Sequence, residues 1–398
     1  MDDVDVDSVI EGVRGSRQAY CKFLSANDSG ETGGHQAGIL VSKGAMPILF
    51  DAKRLDDHIK KRNVSIAWQG RERTDATFTW YASKGELRIT GFTRIYRGLQ
   101  PERTGSLFVL ARMDESEYAG YFLDDEQDID SFLVAFGLSP VDTNRLMDVR
   151  ANESEDLLEH LMVEYVSGID HVFPETREVA IAAEGIEERS RGGRRSRAIE
   201  DPDGALIEFT RIEYELFRHI ERSLYGQKVA SGFEDFDDFI KTANSILNRR
   251  KSRAGKSLEH HLASIFDANG LSYTAQGRTE QNKAPDFMFP SIEAYHDKSF
   301  PVERLVMLAA KTTCKDRWRQ ILDEADRIKS AGRTIYLITL QQGNTKKQLE
   351  QMQSNNVQLV VPKSYIKMYP GEFRDGIWSL KRFIEYVRGL QGKVGCRT

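Results

Sequence analysis

The stretch RLVMLAAKTT (residues 304–313) has the pattern of a buried β-strand that ends in a charge. Because side chains along a strand alternate between its two faces, every second residue from Leu305 onward shares one face, and this row ends in Lys311. Burying an ammonium group beside apolar side chains is costly unless it is paired. We therefore expect a carboxylate or a phosphate next to Lys311.

Further strands and helices flank this stretch on both sides. Short apolar runs between turn signals predict strands at DFMF (286–289), TIYLITL (334–340) and VQLVVP (357–362). Apolar residues at helical spacing predict helices at RIEYELFRHIERSL (211–224), DFDDFIKTANSILNRR (235–250), KSLEHHLASIFDANG (256–270) and DRWRQILDEADRIKS (316–330). Helices that alternate with apolar strands predict an α/β domain in this half of the chain.

The N-terminal half has a different pattern. Runs rich in β-branched and aromatic residues, separated by Gly and Ser, predict strands in AGILVS (37–42), TFTWYAS (77–83), ELRITGF (86–92) and SLFVLAR (106–112). This half is therefore predicted to be mainly β. Glycines, charges and a proline in RSRGGRRSRAIEDPDGA (189–205) mark the boundary between the halves. We expect an N-terminal domain at 1–175, an Arg-rich linker at 176–207 and a C-terminal domain at 208–398.

Composition narrows the class of protein. The chain has 398 residues, of which 40% are hydrophobic and 29% charged, as in ordinary globular proteins. No window holds enough apolar residues for a membrane span, and the acidic N-terminus does not resemble a signal peptide. Its three cysteines are too few and too scattered for a disulfide framework or a zinc site. These features predict a cytoplasmic protein.

Clustered cations indicate a nucleic-acid partner in spite of the net charge of −5. One cluster contains Arg249, Arg250, Lys251 and Arg253, and a second one lies in the predicted linker. A solvated surface is the alternative interpretation of such runs. Binding of DNA depends on where cations cluster rather than on their sum, so both clusters are candidate phosphate contacts.

Carboxylates near Lys311 are candidates for a metal site. Asp286 follows a proline at the start of the predicted strand 286–289. Many metal-dependent nucleases place a second carboxylate two residues before the lysine, but Ala309 occupies that position here. Glu324, on the helix predicted next, can replace it in space. Arg317 lies seven residues before Glu324, so the two share one stripe of that helix.

Several motifs resemble those of the EcoRII-like restriction endonucleases. The resemblance lies in NRRKSRAGKSLE (248–259), KAPDFMFPS (283–291), AYHDKSFPVE (294–303) and KTTCKDRWRQILDEADRI (311–328), and more thinly in LSANDSGETGGHQAG (24–38), RIT (88–90) and TGSL (104–107). It implies a type II enzyme that cuts double-stranded DNA with Mg2+. It also implies a C-terminal α/β restriction-endonuclease-like domain of the PD-(D/E)xK type and an N-terminal DNA-binding pseudobarrel.

The resemblance assigns roles in catalysis. Asp286 and Glu324 would hold Mg2+, and Lys311 would orient or deprotonate the attacking water. Glu259 would be an outer or second-metal carboxylate. For Tyr295 two roles stay open, a covalent nucleophile or a packing and phosphate-contacting residue.

The chemistry of base edges points to a reading segment at Lys315, Asp316 and Arg317. Arginine and lysine donate to guanine, and aspartate accepts from cytosine. In the family this segment reads CCWGG, where W is A or T, and the cut falls before the first C. The resemblance therefore implies the same target here.

In the N-terminal half, the resemblance implies an effector domain that binds a second copy of the site. Candidate contacts are His35, Gln36, Arg88, Arg94 and Arg97. It also implies that this domain covers the catalytic cleft until DNA binds it. A two-fold target predicts a homodimer, and a restriction enzyme implies a partner cytosine methyltransferase.

Two functions from other classes stay open from the sequence. One is a non-cleaving DNA-binding protein with a relic nuclease domain. The other is a repair nuclease that shares the α/β core but needs no base-reading segment.

Overall fold

Two β-sheets organise the chain, one in each half. The computed structural model describes residues 5–31, 38–51, 59–136, 138–147, 157–170, 172–191, 196–280, 283–315, 317–323 and 326–392. Among the helices of these ranges, none is both long and apolar enough to cross a membrane.

The N-terminal sheet has eight strands in the order β2-β5-β4-β3-β7-β6-β1-β8. Their bounds are β1 Gln18–Phe23, β2 Ile39–Val41, β3 Lys60–Trp68, β4 Glu72–Tyr81, β5 Glu86–Thr90, β6 Leu107–Arg112, β7 Glu117–Leu123 and β8 Arg145–Met147. All neighbouring strands are antiparallel except β3 and β7. The four strands that the sequence predicts in this half are confirmed. The α-helices beside the sheet include α1 Val6–Arg14, α2 Met46–Phe50 and α3 Glu126–Ala135.

Both faces of this sheet are covered, which explains the continuous apolar run in β6. Phe108 and Leu110 pack into one core with Trp68, whose ring stacks on Phe122 with 5.6 Å between centroids. The intervening residues of β6 pack on the other face, against α1 and α3. A strand buried on both faces needs no polar residue at alternate positions.

The ends of the eight-stranded sheet approach each other. Ser42, next to β2, donates to the carbonyl oxygen of Asn144, next to β8, over 2.5 Å. The Tyr20 hydroxyl donates to the side chain of Asn144 and accepts from the backbone N–H of Ser42. Asn144 has a left-handed backbone with φ of 65°, which asparagine tolerates better than most residues. The sheet is therefore strongly curled.

The C-terminal sheet has five strands in the order β13-β12-β11-β10-β9. These are β9 Thr274–Ala275, β10 Phe287–Phe289, β11 Val306–Lys311, β12 Ile335–Thr339 and β13 Val357–Val360. Strands β11 to β13 are parallel, whereas β9, β10 and β11 are antiparallel. The surrounding helices are α7 Pro202–Ser231, α8 Phe236–Ala268, α9 Ile292–His296, α10 Asp326–Ser330, α11 Lys346–Ser354 and α12 Leu380–Gly392. The predicted α/β arrangement is confirmed.

Helix α8 differs from its prediction, because one helix of 33 residues replaces the two that the sequence predicts. The basic run between them is helical as well. Gly255 alone does not end the helix, since a single glycine costs only about 1 kcal/mol. The cations at 249–253 therefore point in different directions around the helix rather than forming one loop.

The segment after Lys311 also differs from its prediction. Instead of one α-helix over 316–330, the structure has a 3-10 helix at Arg317–Asp323 and the short α10. Trp318 and Ile321 are both buried. Residues three apart lie on the same side of a 3-10 helix, which explains this geometry.

The predicted linker is largely helical. Helices α4 Leu157–Ser167 and α5 Thr176–Ser190 pack on α7 through an apolar cluster that includes Leu161, Val179 and Leu216. Among the cations of the predicted linker, Arg189 pairs with Glu164, whereas Arg194 and Arg195 lie outside the described residues. The short α6 Arg197–Glu200 follows. The domain boundaries remain a prediction.

A buried ionic group joins α5, α7 and α8. His261 of α8 is fully buried between Glu184 of α5, 2.8 Å from its Nδ1, and Glu213 of α7, 2.7 Å from its Nε2. Burial lowers the pKa of His261, but the interactions of its ring N–H groups with these two acceptor carboxylates outweigh that effect and raise the pKa to about 9. The imidazolium form therefore holds the three helices together.

His261 gives the first prediction. Its folded pKa of about 9 lies above the value of about 6.5 for an unfolded chain. Its stabilisation is therefore full below about pH 6.5 and is lost as the pH rises through about 9. Between pH 7 and 10 we expect the melting temperature to fall more steeply for the wild type than for His261→Gln. Replacing the exposed His160 in the same way should leave the wild-type slope, and parallel profiles for His261→Gln would contradict the assignment.

Candidate active site

Asp286 supplies the carboxylate that the sequence predicts next to Lys311. It lies directly before β10, is only 7% exposed, and faces the end of β11 because the two strands pair antiparallel. Its Oδ2 accepts hydrogen bonds from the backbone N–H of Ala310 (2.7 Å) and from Lys311 Nζ (3.2 Å). One carboxylate oxygen is thus held by the strand and by Lys311, whereas the other, Oδ1, accepts a hydrogen bond from a different part of the chain.

Glu259 of α8 lies beside Asp286. A single nitrogen, Nε2 of Gln276, donates to Glu259 Oε2 over 2.8 Å and to Asp286 Oδ1 over 3.1 Å. Burial and, next, the negative charge of Asp286 raise the pKa of Glu259. The two carboxylates therefore form a close pair in space although they lie far apart in the chain.

Gln276 is a site residue that the sequence does not reveal. It follows β9 in a left-handed backbone with φ of 53°, and its N–H donates to the carbonyl oxygen of Asp286 over 3.1 Å. A non-glycine residue in this conformation is uncommon and is often found at functional sites. A neutral side chain in a turn gives no signal in the sequence, so only the folded arrangement identifies it.

The oxygen pair has the chemistry of a site for a hard divalent cation. Mg2+ takes carboxylate oxygens and keeps several waters, so two protein ligands are enough. Asp286 Oδ1 and Glu259 Oε2 already converge on one polarised N–H2 group, which a cation can replace. Glu324 lies outside the described residues, and within those residues no group of three or more His, Cys, Asp or Glu could hold a metal.

A cavity of about 610 Å³ adjoins the pair, and one of its walls comes from the N-terminal half. Glu259 and Lys311 line one side, and α3 lines the other with Gln127, Asp130 and Ser131. The site therefore lies under a helix of the other domain.

Polar contacts hold α3 in this place. The Thr313 hydroxyl lies 2.9 Å from a carboxylate oxygen of Asp130 and 3.2 Å from one of Glu126. At the other end of α3, Arg250 donates to the carbonyl oxygens of Val134 and Ala135, both over 3.0 Å. A cation at the C-terminal end of a helix also complements the helix dipole.

The two halves also approach closely at Gly105. Its backbone has φ of 84°, and a Cβ atom there would lie 2.3 Å from the carbonyl oxygen of Gly343 in the C-terminal half. The Gly105 carbonyl accepts from Gln341 Nε2 over 2.8 Å. Glycine is thus required both by the conformation and by the close approach.

Of the predicted base-reading residues, Lys315 is buried against the N-terminal half. Its Nζ donates to the carbonyl oxygen of Asp124 (2.7 Å) and to Ser106 Oγ (3.0 Å). Asp316 and the side chain of Arg317 lie outside the described part of the structure. In this conformation Lys315 is unavailable to DNA.

The predicted DNA contacts of the basic run divide into two groups. Arg249 and Lys251 are exposed, whereas Arg250 pairs with Glu221 at 2.7 Å. Arg253 is 3% exposed, its guanidinium lies 3.6 Å from the ring of Tyr214 and 4.2 Å from that of Phe217, and Glu213 is close by. Its side chain is thus engaged within the protein, and its contact with DNA stays a prediction. The side chains of this run point in different directions around α8, which explains why some are exposed and others are paired within the protein.

Tyr295 has a structural position. It is 1% exposed, its hydroxyl donates to Glu280 over 2.5 Å and accepts from the backbone N–H of Arg327, and burial raises its pKa. A buried phenol of raised pKa is a poor nucleophile, so the structure favours the packing role over the covalent one.

The candidate effector contacts are only partly described. His35, Gln36 and the side chain of Arg94 lie outside the described residues. Arg97 is exposed, whereas Arg88 is buried and pairs with Glu86 at 3.1 Å.

Comparisons with known proteins cover both halves. Residues 217–384 match a family described as EcoRII C terminal, and residues 14–141 match one described as restriction endonuclease EcoRII, N-terminal. The chain is 34% identical over 411 residues to the type II restriction enzyme EcoRII of Escherichia coli, which covers 94% of this chain and 95% of that protein.

Solved structures similar to the chain include two complexes with DNA. One is metal-depleted Ecl18kI with uncleaved, modified DNA, at 17% identity and a TM-score of 0.45, covering 61% of this chain and 86% of that one. The other is a complex of the restriction endonuclease PspGI with substrate DNA, at 15% identity and a TM-score of 0.45, covering 61% and 100%.

The carboxylate pair gives the second prediction. Asp286→Asn and Glu259→Gln each remove one charge and one oxygen ligand, so each should weaken Mn2+ binding to the DNA-free protein. We expect a loss of about tenfold or more, because even outer ligands cost about 10- to 100-fold. Titration calorimetry measures it, with the exposed Glu303→Gln, before the start of β11, as the matched control. Unchanged affinity in both variants would place the cation elsewhere.

Proposed function

This chain belongs to the EcoRII family of type II restriction endonucleases, and we propose that it cuts double-stranded DNA at CCWGG, before the first C, with Mg2+. Membership in the family makes it a site-specific deoxyribonuclease that acts on double-stranded DNA. The observation that carries the proposal for its own site is the group of Asp286, Lys311 and Glu259 at the end of β11. The repair nuclease and the non-cleaving protein have no support from the comparisons.

Each residue has a task in hydrolysis of an anionic ester. When bound, Mg2+ supplies positive charge at the scissile phosphate and polarises the attacking water. Asp286 and Glu259 would hold it, together with Glu324. Lys311 keeps its ammonium at the rim of the cavity, where it can orient the water and stabilise charge on the phosphate oxygens.

We also assign the domain architecture. Residues 208–398 would form a PD-(D/E)xK domain in which Glu259 or Glu324 compensates for Ala309. Residues 1–175 would form a DNA-binding pseudobarrel, which the curled eight-stranded sheet and its joined ends support. Residues 176–207 would connect the two.

Control by the N-terminal half follows from its contacts. Helix α3 lines the catalytic cavity. Lys315, which we propose as a base reader beside Asp316 and Arg317, donates its hydrogen bonds to Ser106 and Asp124 of the N-terminal half instead of to DNA. In the proposed mechanism, double-stranded DNA would reach the cavity only after α3 has moved away. An effector DNA bound by the N-terminal domain would favour the open state and so shift the population.

A homodimer would supply the second cut, each copy reading half of the target. The hairpin of α7 and α8 exposes large apolar side chains, at Val229, Phe236, Phe239, Ile240 and Leu247. An interface between copies would cover apolar side chains such as these. In the cell, a cytosine methyltransferase would protect the host's own sites.

Cleavage is the third prediction. With Mg2+, the protein should linearise a plasmid that carries CCWGG and leave a plasmid without it intact. Asp286→Ala and Lys311→Ala should abolish cleavage but keep specific binding, because these groups act on the phosphate rather than on bases. Binding without cleavage by the wild type would favour the non-cleaving alternative. Cleavage of both plasmids would favour a repair nuclease.

The lid is the fourth prediction. The double variant Glu126→Gln, Asp130→Asn keeps the shape of α3 but weakens the hydrogen bond that the Thr313 hydroxyl shares between the two carboxylates, worth about 1.5–3 kcal/mol when the acceptor is charged. It should cut a one-site plasmid at least several-fold faster than the wild type and respond less to an added CCWGG oligonucleotide. The exposed Glu102→Gln is the control. Equal initial rates of the double variant and the wild type, with equal responses to the oligonucleotide, would contradict a lid role for α3.

A further inference from the structure

A second cleft opens beside the carboxylate pair on a neighbouring face of α8. It has a volume of about 880 Å³ and is lined by the segment from Phe173 to Arg177, by α8 and by Gln276. Lys256 and Glu259 line both this cleft and the cavity under α3. Among the described residues that line it, none belongs to α3. The cleft therefore leads to the catalytic group along a path that α3 does not cover.

Cations dominate this cleft. Arg177, Arg249 and Lys256 are exposed, and no carboxylate of the described residues forms an ion pair with any of them. The guanidinium of Arg249 instead lies 5.1 Å from the ring of Phe173. The acids that line the cleft are Glu175, at one end, and Glu259, at the catalytic end. Converging cations without acidic partners in a cleft attract an anionic ligand.

Spacing fits a polyanion with regular charges. Arg249 and Lys256 lie seven residues apart on α8, two turns or about 10 Å. Phosphates of one DNA strand advance by about 3.4 Å along the duplex axis. The pair therefore spans about three phosphates, and Arg177 of α5 lines the same cleft.

We propose that this cleft binds the DNA backbone beside the scissile phosphate, without regard to sequence, and that it does so while α3 still covers the catalytic cavity. The inference rests on the proposed nuclease function and extends it with a docking site for duplex phosphates. It gives a role to Arg177, which no basic run in the sequence marks. It also separates Arg249 and Lys256 from Arg250 and Arg253, which are engaged in ion pairs.

Salt dependence tests the proposal. Binding of a labelled duplex without CCWGG to the full-length protein is measured by fluorescence anisotropy at several salt concentrations, without divalent cations. For the triple variant Arg177→Gln, Arg249→Gln, Lys256→Gln we expect binding about tenfold weaker or more at low salt. The slope of log K against log salt should flatten by about 0.9 for each phosphate that the variant no longer neutralises. The control replaces the exposed Lys298, Lys363 and Lys381 with Gln, which changes net charge equally.

A second variant, which we expect to strengthen binding instead of weakening it, excludes misfolding as the cause of the change. Glu175→Gln removes the acid at the cleft and should tighten binding of the same duplex, a gain that an unfolded protein cannot show. Equal slopes for the triple variant and its lysine control would overturn the proposal. If the triple variant changes the slope only when it is combined with Glu126→Gln, Asp130→Asn, the cleft binds DNA only after α3 is released. That result would overturn the claim that the cleft is accessible in the closed state.

Two further outcomes are distinct. If the triple variant loses binding of inorganic tripolyphosphate but keeps the duplex slope, the cleft takes a small polyanion, and the proposal is wrong. If the wild type binds duplex with the expected slope but fails to cut CCWGG, the proposed target is wrong, whereas the cleft stands.

Discussion

The bond between Asp286 and the end of β11 is the constraint on which the site depends. The backbone N–H of Ala310 and the ammonium of Lys311 both donate to Oδ2, so the carboxylate is held against the end of the strand. Its other oxygen then fixes Gln276, and through it Glu259. Two strands, one turn and one helix are thus placed by a single buried acid, and the hydrogen bonds that it accepts offset its cost of burial.

The interface between the halves is of a different kind. Lys315, Thr313 and Arg250 meet oxygens of the N-terminal half, so the interface around the cavity is largely polar. Polar contacts exchange readily for water or for phosphate, whereas an apolar seam of similar size would resist opening. In the proposed mechanism this chemistry suits a cover that must hold in the absence of DNA and yield in its presence.

Local pattern predicts much of this molecule, and long-range packing decides the rest. The strands, the pairing of Lys311 with a carboxylate and the candidate role of Asp286 follow from alternation and from the cost of burying charge. Neither the continuity of α8 nor the burial of Arg253 can be predicted from the local sequence, since both depend on packing against α7. Gln276 carries no charge, and α3 reaches the cavity from a distant part of the chain, so no spacing rule identifies them.

The close approach at Gly105 has a consequence for inheritance. Any side chain there meets the carbonyl of Gly343, so in the proposed mechanism one nucleotide change in the gene would loosen the cover. A restriction enzyme that cuts too readily damages the chromosome of its own cell whenever methylation lags behind replication. Selection on the host cell, rather than on the chemistry of hydrolysis, would then keep this position a glycine.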